Sequence, residues 1–100
     1  MILFEWDELK AEANRHKHGV TFFRAKFVFE DPYALMEQDR MVAGELRWQT
    51  IGFVENVAIL LVAHTISSRG EDELIRMISA RRANRHERKR YEENRKNYAE

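Results

Sequence analysis

Apolar and polar positions follow two rhythms along this chain. Short apolar runs broken by turn residues fill the middle, and charged residues crowd the helical stretches at either side. Ile2 to Trp6 reads as a first short strand. Asp7 follows as a helix cap, because its carboxylate can accept from the free backbone amides of the next turn. That helix is expected to run to about Lys17. Gly19 stands where a left-handed ending residue is wanted, with Val20 behind it. Thr21 is a second cap. Phe22 to Phe29 is apolar on most sides and predicts a short buried helix. Asp31-Pro32 ends it, since proline disfavours helix at the residue before it.

Strand signals then dominate. Tyr33 to Gln38 is one candidate, and Arg47 to Val54 is another, with Trp48 and Phe53 as strand-forming aromatics. Glu55-Asn56 makes a tight turn. Val57 to Ala63 is apolar throughout, as expected of a central strand covered on both faces. Ser67 to Gly70 reads as a loop, Glu73 to Ser79 as the last strand, and Arg81 to about Asn97 as a closing helix. The expected order is β-α-α-β-β-β-β-α. Strands joined by short turns imply an antiparallel sheet with helices packed against it, hence an α+β fold.

At 100 residues the chain reads as one domain spanning 1–100, with 94–100 as a frayed tail. There are no cysteines, which excludes disulfides and thiolate-bound zinc. No apolar run approaches the roughly 20 residues that span a bilayer. The start, Met1 to Asp7, lacks the features of a secretion signal, so a cytoplasmic protein without membrane contact is expected. Charge changes the picture more. The chain has formal net charge zero, yet residues 81–100 carry +4 and the first eighty therefore −4. A basic terminal helix with so little apolar surface points to a polyanion, with RNA first among candidates. Formal neutrality does not oppose this, because the local field matters more than the sum.

The candidate chemistry is cationic. Arg81 and Arg82 sit where strand is expected to become helix, and arginine's planar fork matches phosphate oxygens. Arg47 and Arg76 lie inside strands. They either converge on an anionic site or form bridges to Glu45 or Glu73. His64 ends the apolar strand and is either a satisfied core residue or a proton-transfer group. His16, Lys17 and His18 complement the end of the first helix. No spacing of His, Asp or Glu suggests a metal site, and neither metal nor cofactor is expected. Metal-free RNA cleavage needs a group to take the 2′-hydroxyl proton, cations for the extra phosphate charge, and a proton for the leaving oxygen. Histidine with several arginines can supply these; the same residues can simply bind RNA, or dock an acidic protein.

The motifs taken in order resemble the BrnT family of bacterial type II toxins. The likeness begins with Trp6-Asp7, Lys10, Asn14, Lys17-His18-Gly19-Val20 and Phe22. It continues through Val28 to Pro32, Arg47-Trp48, Ile51-Gly52 and Leu61 to Thr65. It closes on Ile75 to Ala83, Glu87-Arg88 and Tyr91-Glu92. The resemblance implies a RelE-like α+β fold and a metal-independent ribonuclease that arrests translation. It implies an antitoxin of the BrnA type with a ribbon-helix-helix domain, through which alone operator DNA is bound. Carried onto this chain, it makes Arg47, His64, Arg76, Arg81 and Arg82 the catalytic candidates. Lys17, His18, Arg69, Arg85 and Tyr91 are candidates for RNA contact. The guanidinium groups and the imidazole are expected to share one pocket, where the last strand meets the closing helix.

Overall fold

A computed structural model of the protein describes residues 1–99. Its elements are β1 (Ile2–Glu5), α1 (Glu8–His18), α2 (Phe22–Ala25), a 3-10 turn (Lys26–Glu30), β2 (Leu35–Val42), β3 (Glu45–Val54), β4 (Ala58–Arg69), β5 (Asp72–Arg82) and α3 (Arg85–Ala99). The five strands form one sheet in the order β1-β5-β4-β3-β2. β2 to β5 pair antiparallel, but β1 pairs parallel with β5, so the sheet is mixed rather than antiparallel throughout. A parallel neighbour needs a long crossover, which here is everything from α1 to β4.

The local signals act as their chemistry dictates. Asp7 accepts from Leu9 N and Lys10 N at the start of α1, and Gly19 closes that helix with φ 70°. Thr21 caps α2 by accepting from Arg24 N. The expected helix over Phe22 to Phe29 is one α-helical turn followed by a 3-10 segment. That segment lies directly on β3 at Gly52, where a Cβ would sit 3.0 Å from Val28 Cβ and Val28 O. Only glycine admits so close an approach.

Several boundaries differ from expectation: β2 spans Leu35–Val42 rather than Tyr33 to Gln38, and β3 begins at Glu45 rather than Arg47. β4 runs on through Ser67 to Arg69 and pairs with β5, so the predicted loop shrinks to a turn at Gly70-Glu71. Pairing with Asp72 to Leu74 keeps these polar residues in a strand. β5 likewise continues through Arg81 and Arg82, which pair with Leu61 and Leu60, and the helix starts only at Arg85. α3 then continues to Ala99. The part of the expected tail from 94 to 99 is therefore helical, and Glu100 lies outside the described residues.

The sheet buries both faces. On one, Leu60, Val62, Ile75, Met77 and Ala80 pack with Val20, Phe22, Ala25 and Val28 beneath α1, α2 and the 3-10 turn. On the other, Ile51 and Leu61 pack with Ala83 and Tyr91, rimmed by Tyr33, Leu35, Phe53 and Ile59. So α3 docks by one narrow stripe, which is how a helix polar nearly all round can be held. Of the four phenylalanines from 22 to 29, Phe22 is buried and Phe27 and Phe29 pack against the core. Only Phe23 is largely exposed.

Beyond Arg76, β5 has no strand on its β1 side, because β1 covers only Glu73 to Arg76. Asn14 of α1 closes this edge. Its amide nitrogen donates to Ala80 O (2.8 Å) and Val20 O (3.0 Å), and its oxygen accepts from Ala80 N (3.1 Å). A side-chain amide thus stands in for the missing strand. Asn14→Ala leaves these buried backbone groups unpaired and is expected to cost about 2–4 kcal/mol. A urea unfolding midpoint lowered at unchanged slope checks this.

Candidate functional site

Strand alternation decides which arginines can meet. Residues 76 and 81 are an odd number apart, so a regular β5 would send their side chains to opposite faces. The register resolves this. Ala63 pairs with Ser79 and His64 with Met77, so one step along β4 matches two along β5. The extra residue is Ile78, and this β-bulge turns Arg76 to the face that carries Arg81. Arg47 of β3 falls on the same face, one residue beyond the Trp48–His64 pair. Arg47 and Arg76 therefore flank Thr65 of β4 in one cross-strand row. Arg81 lies beside Leu61 and Arg69 ends the strand. Both are on the same side and each is about 13 Å from that row. Ala63, Thr65 and Ser79 make a floor of short side chains between the rows. α3 covers only the Ile51–Leu61 end of this face, leaving the rest as a shelf.

Carboxylates hold the guanidinium groups of the shelf. Glu45 contacts both cations of the central row. It accepts from Arg76 Nη2, and its Oε1 lies 3.9 Å from Arg47 Nε. Among the described residues, Arg47 Nε is the buried side-chain nitrogen without a hydrogen-bond partner. Glu87 grips Arg81 with both oxygens, at 2.8 and 3.0 Å, and also accepts from Asn84 N. Glu87 N donates back to Asn84 Oδ1, completing a capping box at the start of α3. The Arg81 guanidinium accordingly draws the Glu87 carboxyl below its ordinary range, against the effect of burial. Arg90 of α3 donates to Glu37 of β2 at 2.9 Å along the shelf's margin.

The expected pocket of four arginines and an imidazole is not assembled. Arg82, next in strand to Arg81, points to the opposite face. There it lines a hollow of about 80 Å³ with Arg24, Val57 and Leu60. His64 is wholly enclosed on that same helix-covered face. Its Nε2 is 2.7 Å from Thr50 Oγ1, its Nδ1 is 3.3 Å from Thr65 O, and the Phe29 ring stands edge-on at 4.9 Å. This is the satisfied core histidine. Lys17 and His18 end α1, across the sheet from the shelf. Arg85 is exposed at the first turn of α3. Tyr91, an expected RNA contact, is buried instead. Its hydroxyl donates to Asp31 Oδ2 at 2.5 Å, and burial followed by the Asp31 carboxylate raises its pKa. Asp31 also accepts from Phe53 N and Tyr33 N, so it ties α3, β3 and the loop before β2 together. Arg88 of α3 turns back, its Nη1 donating to Ala83 O at 2.9 Å. No cluster of His, Asp or Glu able to hold a metal occurs among the described residues. No described helix is long and apolar enough to cross a membrane.

From sequence Glu45 is only a bridge partner, yet its place two residues before Arg47 puts it on the same strand face.

The molecule is thus a mixed five-stranded sheet with three helices, one open face of which is lined by arginines set against carboxylates. The family model for the ribonuclease toxin BrnT of type II toxin–antitoxin systems matches residues 6–87, and the chain belongs to that family. It is also similar to the 1.1 Å crystal structure of the Brucella abortus ribonuclease toxin BrnT. The TM-score is 0.57 at 25% identity, covering 85% of this chain and 99% of that one. No curated protein matches the chain.

Burial sets how His64 titrates. Enclosure pushes its pKa down to about 4, against the weak opposing pull of Thr65 O. An unfolded imidazole titrates near about 6.5, so between these values the unfolded chain binds a proton that the folded one refuses. The stabilisation is full above pH 6.5 and is lost as pH falls toward 4. Wild type is expected to lose stability relative to His64→Gln with a slope approaching about 1.4 kcal/mol per pH unit. Paired urea titrations between pH 6.5 and 5 measure it.

Proposed function

We propose that this chain is a metal-independent endoribonuclease toxin whose phosphate site is the shelf flanked by Arg47 and Arg76. The observation that carries the reading is the bulge at Ile78, which aligns Arg76 with Arg47 and Arg81 on one open face. The irregularity that lets Met77 and Ala80 enter one core also sets three guanidinium groups over short side chains. That arrangement suits an extended anionic backbone. Family membership supplies the reaction class.

In this reading the Arg47 and Arg76 forks take the scissile phosphate's non-bridging oxygens and stabilise the charge that builds on them. The RNA's own 2′-oxygen attacks phosphorus, and the bond to the 5′-oxygen breaks. The products carry a 2′,3′-cyclic phosphate and a 5′-hydroxyl. DNA has no 2′-hydroxyl and survives. Arg81 acts mainly through Glu87, fixing where α3 begins. Arg69 and Arg85 extend the cationic surface beyond the shelf. Cutting messenger RNA would arrest translation, in keeping with a RelE-like toxin.

Membership in a type II system implies an antitoxin. We take it to be a BrnA-like protein with a ribbon-helix-helix domain that covers the toxin and brings the complex to operator DNA. A second reading, RNA binding without cleavage, is favoured by one observation: the candidate imidazole, His64, is sealed in the core.

One assay separates the two. Purified protein is expected to cleave single-stranded RNA in EDTA, leaving cyclic-phosphate ends and sparing DNA of the same sequence. Arg47→Ala and Arg76→Ala are each expected to slow cleavage about 10²–10³-fold, with thermal melts confirming folded protein. RNA binding that weakens with salt but yields no cleavage would favour the second reading.

A further inference from the structure

Three carboxylates touch guanidinium groups at the shelf, and their surroundings separate their roles. The Glu87 side chain is 10% exposed and spends both oxygens on Arg81 and the capping box. Glu37 sits at the margin and reaches only Arg90. Glu45 is 41% exposed, and it alone among the described residues contacts both Arg47 and Arg76. It stands on β3 two residues from Arg47, on the same face. A phosphate seated on those two forks must therefore lie against the Glu45 carboxylate. With His64 buried, no imidazole competes for this place.

We propose that Glu45 is the general base of the ribonuclease reaction; the inference rests on the reading of the shelf as a phosphate site. Before RNA binds, Glu45 holds the two forks in position. When a phosphate replaces it on them, its freed oxygen faces the adjoining 2′-hydroxyl and takes that proton. The 2′-oxygen bonds to phosphorus as the bond to the 5′-oxygen breaks. The departing 5′-oxygen takes a proton from solvent, and Glu45 returns its own there, so the step neither consumes nor releases protons overall. The same residue thus opposes binding and drives chemistry, and that combination is testable.

Glu45→Gln keeps the shape and removes the charge. Binding is read with a 2′-O-methyl RNA, which cannot be cut, and cleavage is read by single turnover on the matching RNA. Glu45→Gln is expected to bind about three- to tenfold more tightly, because two cations are released. It is expected to cleave about 10²–10⁴-fold more slowly, the range of a lost general base. Glu45→Ala is expected to regain part of the rate when formate is added, and Glu37→Gln to cleave like wild type. A residue that merely holds the arginines apart would give tighter binding with cleavage kept or raised, and that result overturns the assignment. Loss of cleavage equal in Glu37→Gln and Glu45→Gln also overturns it. If the wild type cuts no RNA, the nuclease reading fails first and this inference with it.

Discussion

The arrangement of this molecule depends on one extra residue in β5. A strand side chain can choose only between two faces, and the choice reverses at every step. Ile75, Met77 and Ala80 must all enter the same core, though 77 and 80 are out of step. The bulge at Ile78 makes this possible, and it also turns Arg76 and Arg81 outward together. Without it, burying Met77 would bury Arg81 as well, and exposing Arg81 would lift Met77 out. A buried unpaired guanidinium is far costlier than the local loss of ladder pairing at a bulge. Packing and site therefore share a single cause.

The surroundings of the bulge are built to hold it. Asn14 engages both backbone groups of Ala80, two residues past the extra one, where β1 no longer covers the edge. On the partner strand His64 sits opposite Met77, filled in by Thr50 and Phe29. A neutral imidazole there bonds Thr50 through one ring nitrogen and faces Thr65 O through the other. Thr65 is the residue between Arg47 and Arg76, on the other face. So His64 bears on the shelf from beneath, through backbone, without reaching it.

What could be read from the chain follows the range of the interaction responsible. Asp7, Gly19 and Thr21 were legible because a cap is decided within a few residues. The apolar run to Ala63 was legible because both faces of β4 are covered. The parallel pairing of β1 with β5 was not, since it joins residues some seventy positions apart and leaves no local mark. Arg81 and Arg82 looked helical because their neighbours from Arg85 onward are helical and basic; pairing with Leu61 and Leu60 overrides that composition. Arg82 was grouped with Arg81 for the same reason, and strand alternation separates them. The bulge has no sequence signature here. Hence the membership of the guanidinium cluster was legible in part, while its face was not.

The ion pairs of the shelf differ in what can replace them. A carboxylate nine-tenths buried against its arginine, as in Glu87 with Arg81, cannot leave without exposing the cap of α3 and uncovering a charge. Glu45, 41% exposed, gains little from its two partners. An incoming phosphate, with more charge and more acceptor oxygens, competes with Glu45 and not with Glu87. One arginine thus serves the frame and two serve the ligand, although all three stand on the same sheet face. That division follows from burial, since the same Arg–Glu chemistry is present in each.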